Sequence, residues 1–582
     1  MRIDRVVIRN FRNFESVDIK LESGVTCIIG DNNAGKTNLL HAIRLVCDSN
    51  FSNQARQLTE HDFHAGVDPR IANQVLISLE FVDFLDDVRQ SALMSSFEID
   101  EGRARLCFRF RPRAKVIDEI ADGERSDDDL TIDDYSPELT AGGDGDAATV
   151  DWNQPFGQRY SLLDLQGYQV TFLHALRDVV ADLRKQHVSP LKKLLSTIEM
   201  TENERLVLIN LLKTANAQVS SDSQIRLLGR LIKRAFRRAA GETYPTNFKV
   251  GISDPSWASV ERALSLLLSN RALVDFEPYR NGLGLNNVLY VCMLVEYFCR
   301  RGASKNCAGQ LLLIEEPEAH IHPQLQRVLH KALEVENVQT LITTHSTHVT
   351  SNSSLSSYVV LSGIDKRTDV VSGLIDSAAL SEREVADIER YLDATRSTLL
   401  FARKVILVEG PAELFVIPIL VKSVLKKDLD RLGIAVIPIH GKHFGSYSKL
   451  FGPQALRKKC AIVADGDLLA DELEELEDEL ADGFLDEELS SLQNEYVRVF
   501  QCESTFEREI TMHGLLAPLR SAAKEVGATR IASWLNECIK KKNNGEDTSK
   551  EIEKLQNSIL SLSKRVGKAR FAQVLSRLLA AM

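Results

Sequence analysis

The chain has 582 residues, with 71 Lys and Arg against 82 Asp and Glu, which gives a formal net charge of −11. A hydrophobic fraction of 44% and a charged fraction of 26% are ordinary for a globular protein and exclude a mostly disordered chain. No apolar run approaches the roughly 18 residues of a membrane span, and no signal peptide is visible after Met1. Nine cysteines without a C-x-x-C pair indicate reduced thiols, so we expect a cytoplasmic protein. The length predicts roughly four structural units, and the lack of a long apolar run predicts no membrane partner.

The N-terminal region begins with three predicted strands within residues 3–29. The third strand runs into residues 30–37, which match the pattern G-x-x-x-x-G-K-T, and an apolar-periodic helix follows. In a loop of this kind backbone N–H groups bind phosphates, Lys36 reaches the β and γ phosphates, and Thr37 holds magnesium. The pattern therefore predicts a site for ATP with Mg²⁺.

Two segments interrupt the α/β pattern in the first half of the chain. Residues 118–146 are rich in Asp, Glu and Gly, and we expect an exposed, irregular insertion there. Residues 188–241 are helical throughout, with leucines at helical spacing, and they end in a basic run at residues 226–238. An inserted helical module whose apolar face dimerises is one interpretation, and helices that only pad the parent core are the other.

A second buried strand, at residues 311–314, ends in two acids that would face the phosphate loop. Glu315 is expected near the magnesium ion of the nucleotide, and Glu316 is expected to polarise a water molecule. A solvated acidic turn is the alternative. His345 follows a further buried strand and is predicted to sense the γ-phosphate, although an isolated histidine is more often structural.

Acidic side chains follow two predicted strands in the second half of the chain. Glu409 ends the strand at residues 405–408, Glu413 lies on the first turn of the next helix, and Asp465 and Asp467 follow a later strand. Parallel strands present their carboxyl ends at one edge of a sheet, so the four carboxylates are expected to converge. Such a cluster is unfavourable without cations, and oxygen ligands suit Mg²⁺ or Mn²⁺ rather than zinc. Two such ions about 4 Å apart support phosphodiester cleavage.

Two residues further along are candidates to complete this site. Glu507 follows a strand-like segment at residues 496–500 and is the expected ligand of a second ion, with Glu509 as the alternative. Lys568 is a candidate to offset charge on the scissile phosphate. The candidate DNA contacts are basic side chains, although ordinary solvated faces are the alternative: those of residues 226–238, Lys564, Arg565, Lys568 and Arg570.

The nucleotide-site motifs together resemble the ABC-type ATPase heads of the RecF and SMC class. The resemblance rests on residues 10–14 (Asn-Phe-Arg-Asn-Phe), the phosphate loop, residues 311–323 and residues 344–346 (Thr-His-Ser). In that class two heads enclose nucleotide between them, which implies a homodimer or a higher homo-oligomer. The Gly-rich residues 281–287 are a candidate for the loop that completes the partner's site, or else a plain glycine turn before a helix.

The strand–Glu–helix segment and the Asp-x-Asp pair resemble the TOPRIM domain of topoisomerases, primases and nucleases. Ala470 stands where topoisomerases often carry a glycine, which argues against a topoisomerase. An ABC-type head followed by TOPRIM is the architecture of the OLD (overcoming lysogenization defect) family of nucleases, and residues 10–15 with 30–38 are most similar to its Gabija-type subclass. The resemblance implies an anti-phage enzyme that acts on double-stranded DNA beside a UvrD-like helicase.

The fold class implied by these observations is α/β. The expected parts are an ABC/RecF-like ATPase head at residues 1–355 with an inserted helical dimerisation module at 188–241, a linker at 356–399, a TOPRIM domain at 400–516, and a helical C-terminal region at 517–582 that completes the nuclease site.

The expected site residues fall into three groups. The nucleotide is expected to contact Arg12, Gly30, Asn32, Asn33, Gly35, Lys36, Thr37, Asn38, Glu315 and His345. The metal ligands implied by the resemblance are Glu409, Glu413, Asp465, Asp467 and Glu507, and the catalytic residues are Glu316, Glu409, Asp465 and Lys568. These residues predict a nucleotide-regulated, divalent-metal-dependent DNA endonuclease or nickase. The alternative is an ATP-switched DNA-binding scaffold of the RecF/SMC kind whose TOPRIM domain does not cleave.

Overall fold

The computed structural model describes most of the chain. The described residues are 1–175, 189–240, 248–251, 254–269, 274–302, 307–364, 367–392, 396–441, 443–466, 487–502, 504–512 and 515–581. They form a mixed α/β fold, which confirms the predicted fold class. They divide into two compact units, one of Met1–Phe172, Leu311–Glu316 and Gln339–Met582 and the other of Leu173–Gln310 and Pro317–Val338.

The strands of the described residues alternate with helices along most of the chain. They are β1 (Arg2–Phe11), β2 (Phe14–Lys20), β3 (Val25–Gly30), β4 (Val75–Val82), β5 (Glu98–Asp100), β6 (Arg103–Pro112), β7 (Tyr135–Ala141), β8 (Gln158–Arg159), β9 (Tyr168–Leu173), β10 (Gly309–Glu315), β11 (Val338–Thr343), β12 (Tyr358–Ile364), β13 (Arg367–Ser372), β14 (Lys404–Val408), β15 (Ile434–Pro438), β16 (Lys459–Ala464) and β17 (Val497–Gln501).

The α-helices are short in the first third of the chain and longer towards the C-terminus. They are α1 (Lys36–Cys47), α2 (Asn53–Arg56), α3 (Val88–Met94), α4 (Ala114–Ala121), α5 (Pro190–Ser196), α6 (Glu202–Ser221), α7 (Ser223–Ala240), α8 (Trp257–Ala263), α9 (Leu283–Gly302), α10 (Pro323–Ala332), α11 (Thr347–Thr350), α12 (Leu374–Ser377), α13 (Glu382–Tyr391), α14 (Thr398–Phe401), α15 (Pro411–Leu425), α16 (Phe444–Ser448), α17 (Glu487–Ser490), α18 (Phe506–Met512), α19 (Leu516–Glu525), α20 (Thr529–Asn543), α21 (Ser549–Val566) and α22 (Lys568–Ala580).

The first sheet has the strand order β2-β1-β4-β6-β7-β8, with β5 paired to β6. Its strand β7 lies inside the acidic residues 118–146 and pairs antiparallel with β6, so the expectation of an exposed, irregular insertion is wrong for residues 135–141, whereas most of residues 122–134 are exposed as expected. The acids of this segment are compatible with a sheet because they form ion pairs. Glu138 lies 2.8 Å from Arg111, and Asp134 lies 2.7 Å from Arg125.

The second sheet has the order β13-β12-β3-β11-β10-β9 and carries the phosphate loop. Strand β3 is parallel to both of its neighbours, β11 and β12. Strands β12 and β13 lie within the interval 356–399 that was expected to be a linker, so this part of the interval belongs to the sheet. Buried apolar side chains of the first sheet, of α1 and of the second sheet form one core.

The third sheet has the order β15-β14-β16-β17, and its neighbouring strands are parallel. Helices α15 and α22 pack against each other, as do α18 and α21. Buried residues of β14, α15 and the C-terminal helices share one apolar core, from Val408 and Val416 to Leu575 and Leu579. The C-terminal helices are therefore part of the same folded body as the third sheet.

The second unit is mainly helical. Helices α6 and α7 follow each other in the range expected to be a helical module, and the hydroxyl of Thr201 caps the first turn of α6. Several of their apolar side chains are exposed: Leu206, Val207, Leu211, Leu227, Leu228, Leu231 and Ile232. Within the described residues, no helix has the length and apolar character needed to cross a membrane.

Candidate functional site

The phosphate loop connects β3 to α1, and Lys36 is the first residue of that helix. Asn33 and Gly35 have φ angles of 66° and 97°, which are left-handed, and a Cβ at Gly35 would collide with the side chain of Asn13. The Lys36 ammonium donates hydrogen bonds to the carbonyl oxygens of Gly30 and Asp31, each at 2.9 Å. The lysine thus lies inside the loop, where phosphate oxygens of a nucleotide would compete with these carbonyls as acceptors.

Polar side chains from three elements hold the loop in place. Asn13 and the hydroxyl of Thr368 both donate to the carbonyl oxygen of Ala34, each at 3.0 Å. Asn38 donates to the side-chain oxygen of Asn13 at 2.6 Å, and Arg12 donates to that of Asn38 at 2.9 Å. Arg12 and Asn38, expected as nucleotide contacts, therefore belong to the hydrogen-bond network that holds the loop through Asn13. Asn13 and Thr368 were not predicted as site residues, and only Asn13 lies in a motif that could have indicated it.

The acids at the end of β10 lie beside the end of β11. Glu315 is buried, whereas Glu316 has a left-handed φ of 43° and donates its N–H to the carbonyl of Thr343 at 2.9 Å. The carboxylate of Glu316 lies 3.9 Å from Nε2 of His345. Burial, followed by the charge of Lys36, lowers the pKa of His345, so the imidazole is neutral at physiological pH. The structure therefore brings Glu316, His345 and Lys36 together, while Asn32, Asn33 and Thr37 are exposed on the loop.

The carboxylates of the third sheet lie where two parallel strands end. Glu409 follows β14 and Asp465 follows β16, and Oε1 of Glu409 accepts the backbone N–H of Asp465 at 2.8 Å. Oδ1 of Asp465 in turn accepts the N–H of Phe506 at 2.7 Å. Glu413, on the first turn of α15, accepts the N–H of Gly410 at 3.0 Å. Backbone N–H groups thus orient three carboxylates at one edge of the sheet.

Glu507 and Lys568 reach the same edge from the C-terminal helices. The ammonium of Lys568 lies 3.7 Å from Oδ2 of Asp465 and 3.6 Å from Oε2 of Glu507. Oε2 of Glu507 is buried and has no hydrogen-bond partner among the described residues. The hydroxyl of Ser563, which is fully buried on α21, donates to Oε1 of Glu507 at 3.4 Å. Ser563 was not predicted, because nothing in its local sequence indicates that it faces an acid.

The crowding of these carboxylates shifts the pKa values of the groups around them. Burial, followed by the charges of Asp465 and Glu507, raises the pKa of Glu413. Burial also raises the pKa of Asp465, although the N–H of Phe506 and the ammonium of Lys568 oppose the shift. Burial works against the ammonium of Lys568, yet the nearby carboxylates, Glu507 first, outweigh it and raise the pKa of this lysine. Burial and the same group of acids raise the pKa of the Cys502 thiol to about 12.

One observation favours the binding of divalent cations at this site, and another restricts it. Its donors are carboxylate oxygens, which suit Mg²⁺ or Mn²⁺. Within the described residues, however, no three His, Cys, Asp or Glu side chains are arranged closely enough to hold an ion together. Asp467 lies outside the described residues. Lys568 stands between Asp465 and Glu507, so part of the cationic charge that we predicted for metal ions comes from the chain itself.

The Gly-rich residues 281–287 have a packing role in the second unit. A Cβ on Gly284, near the start of α9, would collide with the carbonyl oxygen of His320. Asn286 donates to the carbonyl of Pro278 at 2.8 Å, and Asn287 donates to that of Ala319 at 2.9 Å. These contacts favour a glycine turn that allows close packing, which is one of the two interpretations left open by the sequence.

Comparison with known proteins supports the two-part reading of the chain. The AAA ATPase domain model matches residues 1–225 and 173–350, and the model "Overcoming lysogenization defect protein-like, TOPRIM domain" matches residues 400–467. The OLD nuclease of Thermus scotoductus is 24% identical over 451 residues, which is 76% of this chain and 77% of that protein. Endonuclease GajA of Bacillus cereus is 23% identical over 474 residues, 77% of this chain and 72% of that protein.

A solved structure, the C-terminal region of the Burkholderia pseudomallei OLD protein, is 31% identical to this chain. The match covers 30% of this chain and 88% of that one, with a TM-score of 0.23. The ATPase model spans more than half of the chain, and the TOPRIM model follows it in the order that the motifs predicted. The chain therefore belongs to the OLD family, with an AAA ATPase domain followed by an OLD-like TOPRIM domain.

Proposed function

We propose that this chain is a divalent-metal-dependent DNA endonuclease or nickase whose cleavage is regulated by nucleotide at the ATPase domain. The observation that carries the proposal is the position of the Lys568 ammonium within 4 Å of Asp465 and Glu507 at one edge of a parallel sheet, where Glu409 accepts the backbone N–H of Asp465 and Glu413 lies near both acids. The names of the relatives, an OLD nuclease and an endonuclease, support cleavage as the activity.

At this edge each side chain has a separate proposed role. Glu409, Glu413, Asp465 and Glu507, together with Asp467, would hold Mg²⁺ or Mn²⁺ through carboxylate oxygens. When bound, about two such ions would supply activation of water and stabilisation of the leaving oxygen. Lys568 would offset the charge that develops on the scissile phosphate, because its ammonium already lies among the acids that face the substrate. Asp465 connects Lys568 with Glu409, because its carboxylate contacts the lysine and its backbone N–H donates to Glu409.

At the ATPase domain the phosphate loop would bind ATP with Mg²⁺. Lys36 and the backbone of residues 30–38 would contact the phosphates, and Thr37 and Glu315 would lie near the magnesium ion. Glu316 and His345, 3.9 Å apart, are the proposed groups that orient water and contact the γ-phosphate.

A continuous set of contacts leads from the phosphate loop to the carboxylate edge. Thr368, in β13, donates to the carbonyl of Ala34 in the loop at 3.0 Å. The next residue, Asp369, accepts a hydrogen bond from Arg457 at 2.6 Å. Arg457 lies two residues before β16, and Asp465 follows the last residue of that strand. We infer that nucleotide at the loop biases the position of β16 through these contacts.

Assembly and cellular role are proposed from surface side chains and from the family. The exposed leucines of α6 and α7 suit a homodimer or higher homo-oligomer, and the basic residues of α7 suit contact with double-stranded DNA. The family resemblance implies a role in anti-phage defence and a UvrD-like helicase partner, and the likeness to Endonuclease GajA supports the Gabija-type subclass. Cysteines without disulfides in the described residues support a cytoplasmic location. The proposed domains are an ATPase domain that extends through β13, a TOPRIM domain at residues 400–516 and a helical region at 517–582.

Plasmid cleavage tests the central activity. With Mg²⁺ or Mn²⁺ we expect the parent to nick or cut supercoiled plasmid, and Asp465→Ala to lose the activity. Asp430→Ala, which removes an exposed carboxylate of the same domain, is the matched control and should cut like the parent. Equal cutting by the parent and Asp465→Ala would reject the assignment. DNA binding without cutting by the parent would favour the non-cleaving scaffold instead.

Addition of saturating ATP tests the regulatory half. We expect ATP to change the cleavage rate of the parent and to leave the rate of Lys36→Ala unchanged, because this variant lacks the ammonium that contacts the phosphates. Cleavage by the parent that does not respond to ATP would remove regulation from the proposal and leave the nuclease.

A further inference from the structure

A groove of about 580 Å³ lies in the C-terminal helical region, outside the carboxylate site. Its volume falls within the range of about 300–1,000 Å³ that ligand sites occupy. The side chains that face it come from the start of α20 and the second half of α21, and they include Thr529, Arg530, Trp534, Asn557, Ser561 and Arg565. The carboxylates and Lys568 do not line it.

The charge of this region suits an anionic partner. Residues 517–582 contain 13 Lys and Arg against 6 Asp and Glu, a net charge of +7, although the whole chain carries −11. Among the residues that the structure describes, the groove is lined by two arginines, several hydroxyl and amide side chains, and no acid. A polyanion is therefore attracted to this part of an otherwise acidic protein.

Trp534 gives the groove a second property. Its side chain is 39% exposed, although tryptophan is usually largely buried, and the guanidinium of Arg530 lies 4.7 Å from the centre of its ring. An exposed indole with a guanidinium over its ring offers the aromatic and cationic surfaces on which nucleic-acid bases stack. The bases of a duplex are already stacked on each other, so only an unpaired base can use this face.

Helix α21 connects the groove to the carboxylate site. Arg565 and Ser561 face the groove, whereas Ser563, between them in sequence, contacts Glu507. Lys568 begins the next helix and lies between Asp465 and Glu507. A DNA strand bound in the groove would thus contact α21, the helix whose Ser563 contacts the proposed metal ligand Glu507.

We propose that this groove binds an unpaired DNA strand, with a base stacked on Trp534 and phosphates on Arg530 and Arg565. The inference rests on the proposed function and adds a substrate class to it: DNA that has a single-stranded segment next to the cleavage site. Stacking on Trp534 lets the groove distinguish single-stranded from double-stranded DNA. The arginines add affinity that does not depend on base sequence.

Fluorescence anisotropy of labelled oligo(dT), with a blunt duplex of equal length for comparison, tests the proposal in EDTA with the full chain. We expect Trp534→Ala to weaken oligo(dT) binding at least about fivefold, because stacking on an aromatic side chain contributes about 1–3 kcal/mol per base. Duplex binding should change less. Trp534→Phe should recover part of the affinity, since phenylalanine also presents an aromatic face.

The chain offers a matched control for this variant. Trp257 also has an arginine over its ring, with the guanidinium of Arg205 at 5.3 Å, but it lies in the other unit. Trp257→Ala should bind oligo(dT) like the parent. As an independent measurement, Arg565→Ala should reduce the slope of log affinity against log salt concentration by about 0.7, the value for one lost phosphate contact on a single strand. If Trp534→Ala melts earlier than the parent, Trp534→Phe and Arg565→Ala decide the outcome.

Two results would overturn the proposal: unchanged oligo(dT) binding by a folded Trp534→Ala, or an equal loss for oligo(dT) and duplex. Because binding is measured in EDTA, the result is separate from cleavage. Loss of oligo(dT) binding in Trp534→Ala with no cleavage by the parent would keep the groove and reject the nuclease. Cleavage by the parent with intact binding in Trp534→Ala would do the reverse.

Discussion

Lys568 changes how the carboxylate edge is understood at the level of single residues. The sequence led us to expect that a cluster of acids requires divalent ions. In the structure the Lys568 ammonium lies within 4 Å of two carboxylates, and backbone N–H groups orient Glu409, Asp465 and Glu413. Burial and mutual repulsion raise the pKa values of Glu413 and Asp465. The lysine and the N–H donors therefore stabilise the edge before any ion binds.

Replacement of Lys568 tests its role at the scissile phosphate. We expect Lys568→Ala to lower the cleavage rate by about 100-fold or more, the usual effect of removing one charge-stabilising group from an active site. Mn²⁺ binding should persist, because the carboxylates remain. Lys554→Ala removes an exposed ammonium from the neighbouring helix α21 and should cleave like the parent. Cleavage by Lys568→Ala within about twofold of the parent would contradict the role.

Lys458 gives a prediction for pH dependence. Burial lowers its pKa to about 8 from an ordinary value of 10.5, although Asp31 partly opposes the shift. Its ammonium donates to the carbonyl of Leu400 at 2.6 Å. Because the pKa is lower in the folded state, the folded protein gives up this proton first, and its stability should rise with pH from about 8 to about 10.5.

The measurement is the difference in free energy of unfolding between the parent and Lys458→Met as a function of pH. In the variant this rise should be absent, so the parent gains stability relative to the variant as the pH increases through about 8. Parallel stability curves would show that Lys458 has the same pKa in both states.

At the scale of elements, the local patterns predicted the strand–loop–helix of the phosphate site and the strands that end at Glu409 and Asp465. Each of these depends on residues close together in sequence: a buried apolar run, a glycine loop and the first turn of a helix. The prediction of an exposed insertion at residues 118–146 was wrong for β7, because the acidic composition indicated exposure. In the structure Arg111 and Arg125 form ion pairs with acids in and just before this paired strand.

Contacts between distant elements could not be predicted from local patterns. The partnership of Ser563 with Glu507 and the pairing of β12 with β3 leave no signal in the neighbouring residues. The position of Lys568 among the acids came from family resemblance alone. Such contacts depend on the shared core of the third sheet and the C-terminal helices, which forms only when both are folded.

That shared core gives a prediction at the scale of elements. Leu575, on α22, is 2% exposed and lies on the same helix as Lys568. Leu575→Ala should lower the free energy of unfolding by about 2–5 kcal/mol, because it leaves a cavity in the core. Leu425→Ala, at a side chain 61% exposed on α15, should change it by less than about 0.5 kcal/mol.

Urea titration followed by circular dichroism measures both variants. Cleavage by Leu575→Ala should also fall, since movement of α22 displaces Lys568 from Asp465 and Glu507. A stable Leu575→Ala with unchanged cleavage would indicate that the C-terminal helices do not share a core with the third sheet.

At the scale of the whole molecule, the question is how nucleotide at one sheet affects carboxylates at another. The contacts from Ala34 through Thr368 and Asp369 to Arg457 are the proposed route. We expect Arg457→Ala to reduce the effect of ATP on the cleavage rate at least about fivefold, which is the low end of typical coupling between sites. ATP binding and ATP-free cleavage should remain, since Arg457 lies outside both sites.

Arg431→Ala, at an exposed arginine of the same domain, is the matched control and should keep the full response to ATP. Cleavage rates with and without saturating ATP give the coupling for each variant. A full response to ATP in Arg457→Ala would exclude this route and would direct attention to other contacts between the two domains.

The most direct test of the whole account is Mn²⁺ binding to nucleotide-free protein, followed by electron paramagnetic resonance. We expect the parent and Lys36→Ala each to bind about two ions per chain at the carboxylate edge. Asp465→Asn should lose at least one of them. A parent that binds no Mn²⁺, or an Asp465→Asn that binds as much as the parent, would contradict the claim that these carboxylates form a nuclease centre.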